Sequence, residues 1–186
     1  MTSVVLETPR LLLRKVGEDD VDLHDRVLNT PTVMRHLGGV MTRENIVERH
    51  AKVRRMYEEE GFGFLFMIEK ATGDLVGYAG LKRVDAAPAR NRGDHEIGWV
   101  VREDRWRMGY AREAVEALID WAFGPVGAPH IVALTSAVNE PSWRLMDKLG
   151  MERRPDLDFA DPKYPPPNSP TIQYSLTRAQ WETRQP

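Results

Sequence analysis

Apolar and polar positions along this chain recur with periods that change several times, and each change predicts an element. RLLLRKV, residues 10–16, is an apolar run introduced by Pro9 and closed by Gly17, the form of a strand. EDDVDLHDRVLN follows with its acids in front, which suits a helix N-terminus, and Thr30-Pro31 then breaks the chain. From Thr42, a good N-cap, Ile46, Val53 and Met56 recur at helical intervals until Gly61. FGFLFMIEK and LVGYAGLKRV, joined by TGD, make a hairpin of apolar strands. Beyond the loop DAAPARNRG, DHEIGWVV is a third strand of the same meander. The next helix runs from Tyr110 to about Phe123, with Ala111, Ala114, Val115, Leu118, Ile119 and Ala122 as its apolar stripe. HIVALTSAV is a strand, and the helix that leads into it predicts parallel pairing with the strand before. NEPSWRLMDKLG, with Pro141 near its first turn and Gly150 past its end, is a short helix, and PTIQYSLT is a last strand.

That order predicts a mixed α/β sheet with helices on both faces, in one domain spanning residues 1–186. The proline-rich segment RPDLDFADPKYPPPNSP, residues 154–170, reads as a stiff connector in preference to a substrate-side lid. The basic run over residues 49–55 reads as a solvated helix face, because Glu48–Lys52, Arg54–Glu58 and Arg55–Glu59 are spaced for i,i+4 pairs.

Composition narrows the chemistry mainly by exclusion. With 26 basic against 28 acidic residues, the net charge of -2 implies no broad nucleic-acid or membrane surface. The absence of cysteine removes disulfides, thiolate metal sites and a thiol nucleophile. The five histidines are scattered without metal-ligand spacing, and His36 and His50 read as surface residues. The start MTSVVLETPR lacks the pattern of a signal peptide and no apolar run reaches membrane-span length, so a cytoplasmic setting is expected. GFGFLF has Phe66 where a dinucleotide loop needs its third glycine, and neither a Gly-x-Ser-x-Gly elbow nor a Walker loop is present.

One stretch resists a bland explanation. WRMGYAREA, residues 106–114, opens a helix on Gly109 and Ala111 without a serine or aspartate cap. Bare N–H groups there, with Arg105, Arg107 and Arg112 around them, suit a phosphate. A plain strand-to-helix turn with solvated arginines suits the same residues.

The stretch resembles the Gln/Arg-x-x-Gly-x-Gly/Ala signature of the GNAT family of N-acetyltransferases. It is most similar to the branch that acetylates ribosomal-protein N-termini, where Trp-Gly-x-Gly-Tyr-Ala-x-Glu-Ala is usual. Trp106, Gly109, Tyr110, Ala111, Glu113 and Ala114 are kept, whereas Arg107 replaces a glycine. TPRLLLR, EIGW, VNEPSWRLMDKLGM and YSLTRAQW resemble further segments of that branch, in the same order.

The resemblance implies a central, mostly antiparallel sheet with one splayed parallel pair, and acetyl-CoA as cosubstrate without a metal. It lays the pyrophosphate on Trp106, Arg107, Met108, Gly109, Tyr110, Ala111 and Arg112, and the pantetheine arm along Trp99, Val100 and Val101. The Val100 amide becomes the donor to the thioester oxygen. Asn139, which also reads as a helix N-cap, and Ser142 lie near the sulfur. Glu96 is the implied base, commonly acting through water, with His95 as competitor; alternation sets them on opposite sides without saying which side meets the amine. Met146 stands where many relatives carry a tyrosine acid, which leaves Ser142, or water held by it, as the proton donor. The implied acceptor is a primary amine, foremost a protein or peptide N-terminus, whose pKa near 8 makes it easier to deprotonate than lysine at about 10.4. An acyl-CoA-binding sensor without turnover is the alternative, motivated by Met146 and Arg107. Neither a nucleic-acid nor a membrane partner is implied, and a monomer or a homodimer is compatible.

Overall fold

The computed structural model describes residues 3–183. Its eight strands are β1 (Val4–Glu7), β2 (Leu11–Lys15), β3 (Phe64–Glu69), β4 (Leu75–Arg83), β5 (His95–Val101), β6 (His130–Ser136), β7 (Glu152–Arg153) and β8 (Thr171–Thr177). They form one sheet in the order β1-β2-β3-β4-β5-β6-β8-β7. Only β5 and β6 run parallel, as the intervening helix predicts. β1 and β7 were not anticipated: β1 is a short edge strand, and β7 is two residues long.

The six α-helices are α1 (Val21–Leu28), α2 (Pro31–Met34), α3 (Arg43–Glu60), α4 (Tyr110–Phe123), α5 (Glu140–Lys148) and α6 (Arg178–Glu182). Thr30-Pro31 starts a helix where a break was expected. The Thr30 hydroxyl accepts from the Val33 amide at 3.2 Å, and Pro31 occupies the first turn, where a missing N–H costs nothing. α3 begins on the Thr42 cap and stops at Gly61, whose φ of 77° is the left-handed end that glycine favours.

Two apolar layers sandwich the sheet. Ala114, Val115, Leu118, Ile119 and Ala122 of α4 pack on Leu65, Ala79, Leu81, Ile97 and Ile131. On the opposite face Leu28, Met34 and Val53 cover Phe66, Tyr78 and Val100. Alternation along β5 therefore sends Ile97 to the α4 layer and Val100 to the α3 layer.

His50 is a correction: it is buried, as is His24, and His24 Nδ1 lies 2.9 Å from His50 Nε2 beneath α1 and α3. Burial, seconded for His24 by the charge of Arg49, lowers the pKa values to about 3 for His24 and about 4 for His50. An unfolded histidine titrates near 6.5, so acid is bound first by the unfolded chain. Stability present above that value is lost as the pH falls towards 4. Urea unfolding at pH 7 and pH 5 is expected to differ by about 2 kcal/mol for each ring that titrates this way. Equal stabilities at the two pH values would rule out a neutral buried pair.

Candidate active site

The parallel pairing of β5 with β6 is brief. His95↔Ile131 and Glu96↔Val132 are its registered pairs, and from Ile97 onwards the two strands separate. The other edge of β5 stays paired with β4 throughout. A row of backbone groups on β5 consequently faces an opening in the sheet.

The ladder phase decides which groups these are. Val84 N donates to Asp94 O at one end of the β4–β5 ladder and Arg102 N to Val76 O at the other, both at 2.9 Å. The register between them, from Arg83↔His95 to Gly77↔Val101, has no shift. Since every second antiparallel pair is hydrogen-bonded, Tyr78↔Val100 and Lys82↔Glu96 are bonded pairs. The Val100 amide therefore belongs to β4, which corrects its expected role as oxyanion donor. The amides of Trp99 and Val101 point into the opening instead. The Val101 carbonyl, on that same edge, accepts from the Trp106 indole at 2.7 Å.

Next comes the turn. Arg107 has a φ of 62°, the left-handed conformation for which a glycine would serve best. The turn thus keeps its shape at a cost of about 1 kcal/mol in backbone strain. Gly109, with a φ of 82°, is the N-cap of α4 and supplies no side-chain cap. The first intrahelical bond runs from Glu113 N to Gly109 O at 3.0 Å. This leaves the amides of Tyr110, Ala111 and Arg112 free of the helix ladder at the positive end of its dipole, a donor set suited to a phosphate.

Arg10 fixes the turn from below. Its backbone N and Nε donate to the Glu113 carboxylate at 2.8 and 2.6 Å, its Nη1 donates to Met108 O at 2.9 Å, and Thr8 Oγ1 adds a bond to Glu113 at 2.6 Å. The expected ring of arginines needs correcting. Arg105 pairs with Asp104 and Asp74, and Arg112 with Glu116, so Arg107 is the arginine of the three without an ion pair among the described residues.

Beside the opening lies a cavity of about 380 Å³. Glu96, Trp99, Val100, Asn139, Ser142 and Met146 all contribute to its wall. His95 does not join them: its ring contacts Phe62 at 5.4 Å on the other face of the strand. The Glu96 side chain is 12% exposed and meets Lys82 Nζ at 3.2 Å. Burial raises its pKa above the ordinary carboxylate range, although Lys82 opposes the shift. Lys82 also donates to Asp85 at 2.8 Å, and Lys52 donates to the same carboxylate at 2.7 Å. Burial alone would raise Asp85, but the two ammonium groups outweigh it and hold Asp85 ionised.

Lys52 thus turns inward to Asp85 instead of pairing with Glu48, and Arg49 donates to the Tyr78 hydroxyl at 2.7 Å. The basic face of α3 is partly a cavity wall. Asn139 is positioned as N-cap of α5 but makes no capping bond; its Nδ2 donates to Thr135 Oγ1 at 3.0 Å.

The proline-rich segment is more than a connector, since Phe159, Asp161 and Tyr164 line the cavity. His36 Nδ1 lies 2.8 Å from Asn168 Oδ1, and Asn168 Nδ2 donates to Arg35 O at 3.0 Å, which ties the segment to the loop after α2. Burial raises the Tyr164 phenol above its ordinary range, so it stays protonated at neutral pH. Tyr78, Lys82, Asp85 and Tyr164 had carried no motif, and Arg49 stands in the basic run that reads from sequence as a solvated face. The one available signal was the inward alternation of Tyr78 and Lys82 along β4.

Comparison with known proteins agrees with this geometry. Residues 10–152 match the model of the acetyltransferase (GNAT) domain. The uncharacterized N-acetyltransferase YnaD of Bacillus subtilis is 40% identical over 152 residues, covering 80% of this chain and 82% of its own. The FsC-acetyl coenzyme A-N(2)-transacetylase of Aspergillus fumigatus is 27% identical over 95% of this chain and 77% of its own. Among solved structures, an acetyltransferase from Agrobacterium tumefaciens superposes with a TM-score of 0.78 at 25% identity, over 96% of this chain and 95% of that one. An opening in the sheet beside an uncapped, phosphate-ready helix, together with the match over residues 10–152, makes this chain a member of the GNAT acetyltransferase family.

Proposed function

We propose that this protein transfers the acetyl group of acetyl-CoA to a primary amine by direct attack, and that the amine is the N-terminal α-amine of a peptide or protein. The observation that carries the reading is the free edge of β5, which begins where β6 departs and leads towards the bare first turn of α4. Acetyl-CoA supplies an activated acyl thioester, and the chain supplies the rest. The amides of Tyr110, Ala111 and Arg112, with Arg107 beside them and the backbone of Trp106, Met108 and Gly109 shaping the turn, hold the pyrophosphate. Trp99 and Val101 pair with the pantetheine arm. The Trp99 amide takes over the oxyanion role first expected of Val100, because it points into the opening, where such a donor lowers the barrier most.

Glu96 accepts the proton of the attacking amine, directly or through one water. A base whose pKa is raised towards neutrality suits that task better than an ordinary carboxylate. Asn139 and Ser142, on the β6 side of the opening, lie at the sulfur end, and Ser142, or a water held by it, relays a proton to the departing thiolate, the hydroxyl taking one back from solvent as it gives one up. A thiol with a pKa near 8.5 leaves readily, so a weak acid suffices. The lean towards an α-amine rests on the branch-like segment at residues 106–114 and on the lower pKa of such amines. The competing reading, an acyl-CoA sensor without turnover, draws on the buried thioether of Met146 at the cavity wall.

Isothermal titration of acetyl-CoA, with ATP and NAD as controls, tests the cofactor half. A dissociation constant near micromolar, about -8 kcal/mol, is expected for acetyl-CoA and not for the controls. Release of free CoA with a panel of peptides tests the transfer. A folded protein that does not bind acetyl-CoA would overturn the reading, and selective binding without turnover of any amine would leave the sensor.

A further inference from the structure

The acceptor side of the cavity holds a cation that the transfer chemistry does not use. α3 and β4 turn Arg49, Lys52 and Lys82 into it. Lys52 and Lys82 are neutralised, the first by Asp85 and the second by Asp85 and Glu96. Arg49 pairs with no carboxylate among the described residues. One of its nitrogens, Nη2, donates to the Tyr78 hydroxyl at 2.7 Å, and its guanidinium carbon lies 4.7 Å from the centre of the Tyr78 ring. Those two contacts hold the planar group in one orientation on a half-buried wall. A guanidinium positioned in this way, with N–H groups still open, fits a carboxylate better than any neutral group.

The sheet register says where that cation stands relative to the proposed base. Tyr78↔Val100, Gly80↔Gly98 and Lys82↔Glu96 are successive cross-strand pairs on one face. Glu96 marks one end of this row, and Arg49, held on Tyr78, marks the other. The glycine pair between them lies under Phe64, whose ring tip is 3.2 Å from where a Gly98 Cβ would stand and which itself lines the cavity. Four residue steps of strand separate the ends, roughly 13 Å along the backbone, so a group in the cavity midway between them, against Phe64, is within about 7 Å of either level. A small amine seated in the cavity against Phe64 meets Glu96 on one side and an anion receptor on the other.

We infer that the acceptor is an anionic amine, one with a carboxylate within a few bonds of the reacting nitrogen, and that Arg49 is the seat of that carboxylate. The inference rests on the acetyl-transfer reading of the same cavity and narrows its substrate. The carboxylate comes either from an acidic side chain at the start of a peptide or from the α-carboxyl group of a free amino acid. Polyamines and other cationic amines are disfavoured, because they bring a second positive charge towards Arg49.

The test compares acceptors that differ only in that charge. Peptides beginning with Glu or Asp are paired with those beginning with Gln or Asn, and free amino acids with their carboxamides. Two readouts are taken: kcat/KM from CoA release, and equilibrium binding of each acceptor to the CoA-loaded protein. The acid member of a pair is expected to be favoured by between about tenfold and a hundredfold, the range for a hydrogen bond to a charged group. Arg49→Gln removes the preference and Arg49→Lys restores part of it, which separates loss of charge from loss of fold. The peptide and amino-acid arms tell which source supplies the carboxylate. Turnover with an acid-to-amide ratio near one, or with cationic amines preferred, overturns the inference and leaves acetyl transfer standing. Binding of the acid forms that depends on Arg49, without turnover, keeps the anion seat and removes the enzyme. Absence of both overturns both.

Discussion

Glu96→Gln is expected to lower kcat by about a hundredfold to a thousandfold while acetyl-CoA affinity stays within about twofold of the parent protein. That loss corresponds to roughly 3–4 kcal/mol of barrier and lies inside the usual range for a general base. The fold should tolerate the change. Glutamine has the same shape, keeps an oxygen for Lys82, and leaves Lys82 bound to Asp85 at 2.8 Å. The cofactor should tolerate it too, because the Glu96 backbone is committed to β4 and its side chain belongs to the α3 face, away from the edge at Trp99 and Val101. What disappears is the proton acceptor, so the pH profile is the sharper readout. The parent enzyme should lose kcat/KM on the acid side at a pH above the ordinary carboxylate range, because burial raises the Glu96 pKa. The variant should lack that limb and recover towards the parent above about pH 9, where an α-amine with pKa near 8 is already deprotonated. A defect of equal size at every pH would make Glu96 a structural residue.

How far the sequence carried depended on whether a signal was local. The limits of α4 were legible to the residue, because a glycine sits just before an unbroken apolar stripe. The same holds for α3, with a threonine at one end and a glycine at the other. Parallel pairing of β5 and β6 followed from the helix between them. Charge partners were not legible in this way. Lys52 had Glu48 four residues away on its own helix, yet it reaches Asp85, 33 residues on, because the sheet brings that loop under α3. His50 stands on a strongly polar helix and still packs against His24, since the short α1 leans on that part of its surface. The clasp between His36 and Asn168 spans 132 residues, and neither side of it carries a motif.

Val100 shows a different limit. Alternation along a strand says where side chains go, and it placed Glu96 and Val100 together correctly. The direction of an amide is a separate variable, set by the phase of the ladder with the neighbouring strand. That phase is fixed by Val84–Asp94 and Arg102–Val76, residues that lie outside the segment containing the site. Resemblance to a family pointed to this strand, whereas the ladder phase turns the Val100 amide towards β4 and the Trp99 amide towards the opening.

The second large effect is expected at Gly77, and it links the sheet to the cofactor edge. Replacing glycine by alanine usually stabilises a protein by about 0.4–1 kcal/mol where the backbone accepts it, through the unfolded chain. Gly77→Ala should do the opposite and cost about 3 kcal/mol. A Cβ at this position would lie 2.0 Å from Val100 O and 2.7 Å from Met67 Cε. The methionine can swing away, whereas the carbonyl cannot, because Val100 is bonded to Tyr78 in the β4–β5 ladder. The crowding sits beside an irregularity in the β3–β4 register, between Met67 and Ile68. Relief therefore requires β5 to shift at Val100. The residues on either side, Trp99 and Val101, carry the free amides of the opening, so acetyl-CoA binding should weaken along with stability. Gly98→Ala, on β5, is the contrasting case. Its nearest neighbour is the tip of the Phe64 ring at 3.2 Å, a side chain with room to turn, and the loss should stay below about 1 kcal/mol. Urea midpoints for the two variants, followed by titration with acetyl-CoA, separate the cases. If Gly77→Ala were as stable as the parent, the close approach of β4 to Val100 would not exist in solution, and the assignment of the Trp99 and Val101 amides to the cofactor would lose its geometric basis.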